Sequence, residues 1–162
     1  MTKKAQENTV EFCFLAEPTD VNFGGKVHGG MVMKWIDQAS YACAAKWSKR
    51  YSVTISANGI RFIRPILVGQ MITVCARIVH TGRSSMHIYV VVRACDPKDH
   101  NYVVTNRCFI TFMATDESGY PVKVAQYTPE TEEEEKLEQV AMHAKDFAIQ
   151  LDQDFENQLG WK

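Results

Sequence analysis

The stretch from about Gly30 to Lys49 restricts the architecture more than any other part of the chain. Met31, Val32, Met33, Trp35, Ile36, Ala39, Tyr41, Ala42, Cys43, Ala44, Ala45 and Trp47 cover nearly every face of a helix of that length. A helix that is apolar all round must be enclosed. Segments able to enclose it follow at once. Tyr51–Ala57, Ile60–Ile66, Met71–His80, Met86–Cys95 and Tyr102–Ala114 are rich in Val, Ile, Thr, Tyr and Phe and read as strands. Asn58-Gly59, Pro65 with Gly69, Thr81-Gly82 and Asp96-Pro97-Lys98-Asp99 break them apart. Val10–Leu15 reads as a further strand ahead of the helix. Short turns between successive strands imply antiparallel pairing. The expected fold is α+β, an antiparallel sheet curled around one central helix.

The chain's 162 residues fit one domain with a real core, and no apolar run approaches the ~20 residues of a membrane span. Met1–Glu7 is polar and lacks the apolar core of a signal peptide, which predicts a cytoplasmic protein. Cys13, Cys43, Cys75, Cys95 and Cys108 are odd in number and widely spaced. They read as reduced, buried, small apolar residues. His28, His80, His87, His100 and His143 show no ligand spacing, so no metal site is expected.

Charge is segregated along the chain. Residues 38–115 hold ten Lys/Arg against two acids, and residues 116–162 hold four Lys against twelve acids. The basic middle fits solvated strand faces, or a polyanionic ligand such as a nucleotide-bearing cofactor or nucleic acid. The acidic tail predicts a helix with Thr128 as N-cap and Pro129 at its first position. Leu137, Val140, Ala144, Phe147, Leu151 and Phe155 form one apolar stripe on it, expected to pack on the same domain or on a neighbouring subunit.

Asp37 carries the most chemical information, because an unpaired carboxylate amid an apolar helix is costly to desolvate. It fits an ion pair with Lys34 or a narrow polar strip with Lys34, Gln38 and Tyr41. It also fits a general base or nucleophile tuned by burial. Gly29-Gly30 opens the helix with backbone N–H groups not covered by side chains, a place for a phosphate or an oxyanion. The amide of Asn22, just upstream, suits a turn or the orientation of a water or carbonyl.

Taken together, Asn22-Phe23-Gly24-Gly25-Lys26-Val27-His28-Gly29-Gly30-Met31-Val32-Met33-Lys34-Trp35-Ile36-Asp37 resembles the signature of the acyl-CoA thioesterases of hotdog fold. The nearest subgroup is the bacterial hexameric enzymes similar to the tandem-domain cytosolic acyl-CoA hydrolases of animals. Arg61-Phe62-Ile63-Arg64-Pro65-Ile66-Leu67-Val68-Gly69 and Thr81-Gly82-Arg83-Ser84-Ser85-Met86 continue the likeness. It covers residues 8–125 as a thioesterase domain and leaves 126–162 as a helical tail. The resemblance implies Asp37 as catalytic carboxylate and Asn22, from the partner subunit, as catalytic asparagine. It places the thioester carbonyl at Gly29 and Gly30 and CoA at Arg83, Ser84 and Ser85. Arg61 and Arg64 fit CoA contacts or solvated strand positions, and His28 a support for the turn. No separate cofactor is implied, since coenzyme A belongs to substrate and product. The implied assembly is a homo-oligomer, a catalytic dimer within a trimer of dimers, with neither nucleic acid nor membrane as partner. Two other functions fit the same fold: a hydratase or dehydratase acting on acyl thioesters, and a non-catalytic acyl-CoA sensor. The first needs a His that the central helix lacks. The second, as a transcriptional regulator, needs a DNA-binding module for which the residues ahead of the first strand leave no room.

Overall fold

The computed structural model describes residues 8–161. In chain order the elements are β1 (Thr9–Leu15), a short 3-10 turn (Pro18–Asp20), α1 (Gly29–Ser48), β2 (Ser52–Phe62), β3 (Met71–Thr81), β4 (Ser85–Cys95), β5 (Val103–Ala114) and α2 (Glu132–Leu159). The sheet runs in the order β1-β3-β4-β5-β2, and every neighbouring pair is antiparallel. β1 and β2 are its two edges.

α1 lies on one face of this sheet and packs against all five strands. Ile72, Val74, Ala76 and Ile78 of β3 alternate toward it, as do Ile88, Val90 and Val92 of β4 and Cys108, Ile110 and Phe112 of β5. They meet Ile36, Ala39, Cys43 and Ala44 of the helix. Removing each large side chain from water is worth about 1.5–3 kcal/mol, which makes this seam the main cohesive contact of the fold. Gly30, Lys34, Gln38 and Tyr41 form the exposed strip of α1. The helix ends at Lys49, whose left-handed backbone (φ 58°) turns its N–H onto the Ala45 carbonyl.

Four expectations change. Tyr51–Ala57 and Ile60–Ile66 are not two strands: Asn58-Gly59 lies inside β2. Gly59 takes a positive φ of 62°, and register shifts on both sides of Ser56 absorb the extra residues. Continuous pairing with β5 outcompetes the local turn, and the strand stops at Phe62, ahead of Pro65. Helix α2 starts later than Thr128. Thr131 Oγ1 accepts the Glu134 N–H at 3.2 Å, and the Glu134 carboxylate accepts the Glu130 N–H at 2.8 Å. This reciprocal cap is unavailable at Thr128, where Thr131 occupies the third helical position. Cys13 is exposed on edge strand β1 and Cys75 is half-buried, whereas Cys43, Cys95 and Cys108 are buried.

The fourth change concerns the face α2 turns to the sheet. The helix crosses the side opposite α1. Glu138 reaches His80 of β3 (Oε1–Nδ1 2.7 Å), Ala141 is buried, and Lys145, Ala148 and Asp152 line a cavity with Ser56, His87 and Thr111. The facing stripe is thus 138, 141, 145, 148 and 152, about 100° round the helix from the apolar stripe. Val140 (52% exposed), Phe147 (71%) and Leu151 (43%) are left largely uncovered. The facing positions combine small residues, Ala141 and Ala148, with polar ones, of which Glu138 is hydrogen-bonded to the sheet. No helix among the described residues is long and apolar enough to cross a membrane.

Candidate active site

Two constellations stand at opposite ends of β2. The first is Asp37, half-buried in the third turn of α1. Its Oδ1 accepts a hydrogen bond of 2.7 Å from the Thr54 hydroxyl near the start of β2. No ion pair joins Asp37 to Lys34 among the described residues. Thr54 sits opposite Phe112, which pairs with Met86, so the Arg83-Ser84-Ser85 turn lies at this end of the sheet. That turn is held by Gly82 N–H on the Ser85 carbonyl (3.0 Å) and by Val124 N–H on the Arg83 carbonyl (2.9 Å). The Arg83 side chain is exposed.

The second constellation surrounds the start of α1. His28 is the N-cap, and its Nδ1 accepts the Gly30 N–H at 2.8 Å. The glycines are therefore not equally open: Gly30 N–H is taken, while Gly29 N–H has no partner among the described residues. The Phe62 ring lies against Gly29, where an added Cβ would stand 3.3 Å from Cε1. Asn22 closes the preceding loop, its Oδ1 accepting from Gly24 N (2.9 Å) and Lys26 N (3.3 Å). An Asx turn of this kind leaves the amide NH2 free at an exposed surface. Asn22, Gly29, Phe62, Arg64 and Asn106 line one groove of about 320 Å³. Arg64 is tied back to the Val104 carbonyl at 3.0 Å. Arg61 pairs with Arg107, in register with the outer face, and is not brought to the groove.

Within one chain the two constellations do not meet. Gly29 and Asp37 are eight residues apart on α1, about 12 Å along its axis.

Two residues at the site were not singled out from the sequence. Thr54 is an ordinary strand former until the fold sets it on Asp37. Asn106, 2% exposed beneath the groove, has an Oδ1 with no hydrogen-bond partner. Its polarity in an apolar strand was the only available signal.

Comparison with known proteins bears on the family and the fold. The thioesterase superfamily model matches residues 24–99. YkhA of Bacillus subtilis, an acyl-CoA thioester hydrolase by name, is 33% identical over 87% of this chain and 82% of its own. An apo hexameric acyl-CoA thioesterase of known structure superposes with a TM-score of 0.86 at 32% identity, covering 90% of this chain and 94% of that one. An acyl-CoA hydrolase from Staphylococcus aureus, solved with butyryl-CoA, CoA and CoA disulfide, superposes with a TM-score of 0.83 at 26% identity, covering 93% and 94%. That enzyme has also been solved with an Asp, an Asn or a Thr replaced by Ala. By sequence likeness and by its sheet wrapped around one helix, the chain belongs to the hotdog-fold acyl-CoA thioester hydrolases of the thioesterase superfamily.

Proposed function

We propose that the protein hydrolyses fatty acyl-CoA to a carboxylic acid and CoA, in sites each completed by two copies of the chain. Asp37 and Thr54 come from one copy, Asn22 and Gly29 from the other. The observation that carries this is their placement at the two ends of an edge strand. If β2 pairs antiparallel with a second β2, the Phe62 end of each lies beside the Thr54 end of the other. A two-fold axis then builds the site twice. The three residues replaced in the S. aureus enzyme support the assignment. They are spaced by 15 and then 17 residues, the spacing of Asn22, Asp37 and Thr54 here.

In this reading the thioester carbonyl rests at the start of α1. Gly29 N–H is the open donor for the developing oxyanion, aided by the positive helix end. Thr54 holds one Asp37 oxygen, leaving the other for water. Asp37 takes a water proton, the oxygen adds to the carbonyl carbon, and collapse breaks the C–S bond. The departing thiolate takes the proton from Asp37. Direct attack by Asp37, through an acyl anhydride that water then opens, gives the same products. The Asn22 amide orients the water or the carbonyl. The Arg83-Ser84-Ser85 turn holds CoA phosphates, which fits the basic middle of the chain. Dimers assemble further into a trimer of dimers.

Free thiol released from acyl-CoAs of graded length tests the activity. Asp37→Ala should lower kcat by about 10²–10⁴-fold, the scale of losing a positioned base. A folded variant with unimpaired turnover would remove Asp37 from the mechanism. One turnover in isotopically heavy water tests the covalent route, since heavy oxygen in the Asp37 carboxylate arises only when water opens an anhydride at the Asp37 carbonyl.

A further inference from the structure

Helix α2 is longer than the sheet it covers. From β3 to β2 is three strand spacings, about 14 Å. The helix makes that crossing between Glu138, at His80, and Asp152, beside Ile55 and Ser56, some 21 Å of its length at 1.5 Å per residue. It therefore runs obliquely, and its last seven residues to Leu159 carry it about 7 Å beyond the free edge of β2. The residues facing the sheet change character at that point. Over its own sheet they are Glu138, Ala141, Lys145, Ala148 and Asp152. The same face next brings Leu159, and Phe155 sits on its border with the apolar stripe, 54% and 39% exposed. Trp161 stacks on Phe155 with centroids 5.6 Å apart and is itself 63% exposed. On the sheet-facing side of α2, large apolar side chains thus begin only where this chain's sheet ends.

We propose that the end of α2 docks on the outer face of a second copy's sheet, over its β2 and β5. The inference rests on the β2–β2 dimer proposed above, which extends the sheet into that space. Charge selects the same occupant. Arg61 and Arg107 are paired across β2 and β5 and both exposed, an unfavourable like-charge neighbour pair. Glu156, one turn on from Asp152 on the same face of α2, supplies the opposite charge. By symmetry each copy gives its helix end and receives the other's, so the dimer is clasped twice on the face away from its active sites.

A photo-crosslinking residue, p-benzoylphenylalanine, tests this at two positions, replacing Phe155 in one protein and Ile63, just past β2, in another. Each is assembled with isotope-labelled unsubstituted chains, so that products between copies are recognised by mass. The Ile63 probe should attach to the start of the other copy's β2, and the Phe155 probe to its β2 or β5. An Ile63 product without an inter-copy Phe155 product overturns the clasp and leaves the dimer standing. Loss of both overturns both, and attachment of Phe155 to any other segment of the second copy overturns the clasp. A double substitution, Phe155→Ser with Trp161→Ser, removes two exposed side chains and should leave the fold intact by circular dichroism. It should raise the dimer dissociation constant about 30-fold, the scale of one aromatic hot spot. An unchanged constant would also overturn the clasp.

Discussion

Thr54 Oγ1 donates to Asp37 Oδ1 at 2.7 Å, tying edge strand β2 to the third turn of the central helix. A hydrogen bond to a charged group is worth about 1.5–3 kcal/mol, so Thr54→Val should lower kcat by roughly 10- to 100-fold. KM should stay within about threefold, because the contact orients the carboxylate and does not bind CoA. Thr54→Ser should restore most of the rate. Steady-state kinetics on the three proteins checks this, and equal rates for Val and Thr would show the contact to be structural.

The cross-subunit site makes a complementation prediction. Asn22→Ala and Asp37→Ala should each be nearly inactive alone. In a mixed dimer one site collects both lesions and the other none. With random pairing, activity should return to roughly a quarter of wild type. Differently tagged chains allow the mixed species to be purified, and with one intact site of two it should show roughly half of wild-type activity. If both residues served one site within a single chain, it would stay as inactive as its parents.

The two glycines at the start of α1 should respond differently. A Cβ at Gly30 would stand 3.0 Å from His28 Nδ1, so Gly30→Ala strains the cap. It should cost about 1 kcal/mol in urea unfolding, the scale of a lost N-cap. At Gly29 the clash is with the Phe62 ring, 3.3 Å away, on the groove itself. Gly29→Ala should therefore reduce kcat more than stability. The reverse pattern would move the oxyanion donor elsewhere.

Arg83 is exposed on the β3–β4 turn, and its proposed role is to hold a CoA phosphate. Phosphate binding is similar in ground and transition states, so Arg83→Ala should raise KM roughly tenfold with kcat nearly unchanged. The wild-type KM should rise with salt more steeply than that of the variant. A KM indifferent to both would assign the basic turn to something other than substrate.

His87 lies beneath α2, with Nδ1 3.0 Å from the Thr111 hydroxyl and Nε2 buried without a partner. Burial first, and then the neighbouring His80 and Lys145, push its pKa down to about 4. A depressed folded-state value means the unfolded chain binds the proton more tightly. The stabilising contribution is complete above the ordinary value near 6.5 and shrinks as pH falls from there toward about 4. His87→Gln should therefore lose less stability than wild type between about pH 7.5 and pH 5 in urea unfolding. Parallel losses would place the acid sensitivity in other groups.

The sequence alone determined the enclosure of one helix by an antiparallel sheet. An all-round apolar surface on Met31–Trp47 and alternating β-formers after it leave few other ways to bury that much apolar area. It also marked Asp37, because a carboxylate in such a helix stands out from its neighbours. Tertiary structure decided what depends on competition between distant partners. Asn58-Gly59 has the chemistry of a turn, yet β5 supplied enough backbone hydrogen bonds to run β2 through it. The spacing of apolar residues gave α2 a stripe but not the face it turns to the sheet, which is the one that sets Glu138 on His80 and buries Ala141. Thr54 became a site residue only when the fold set its hydroxyl against Asp37. The separation of Asn22 from Asp37 follows from the rise of α1 and the length of β2, and no local pattern encodes it. Local chemistry was legible because each residue type carries it. Geometry between residues far apart in sequence was not, because it is set by the packing of the whole domain.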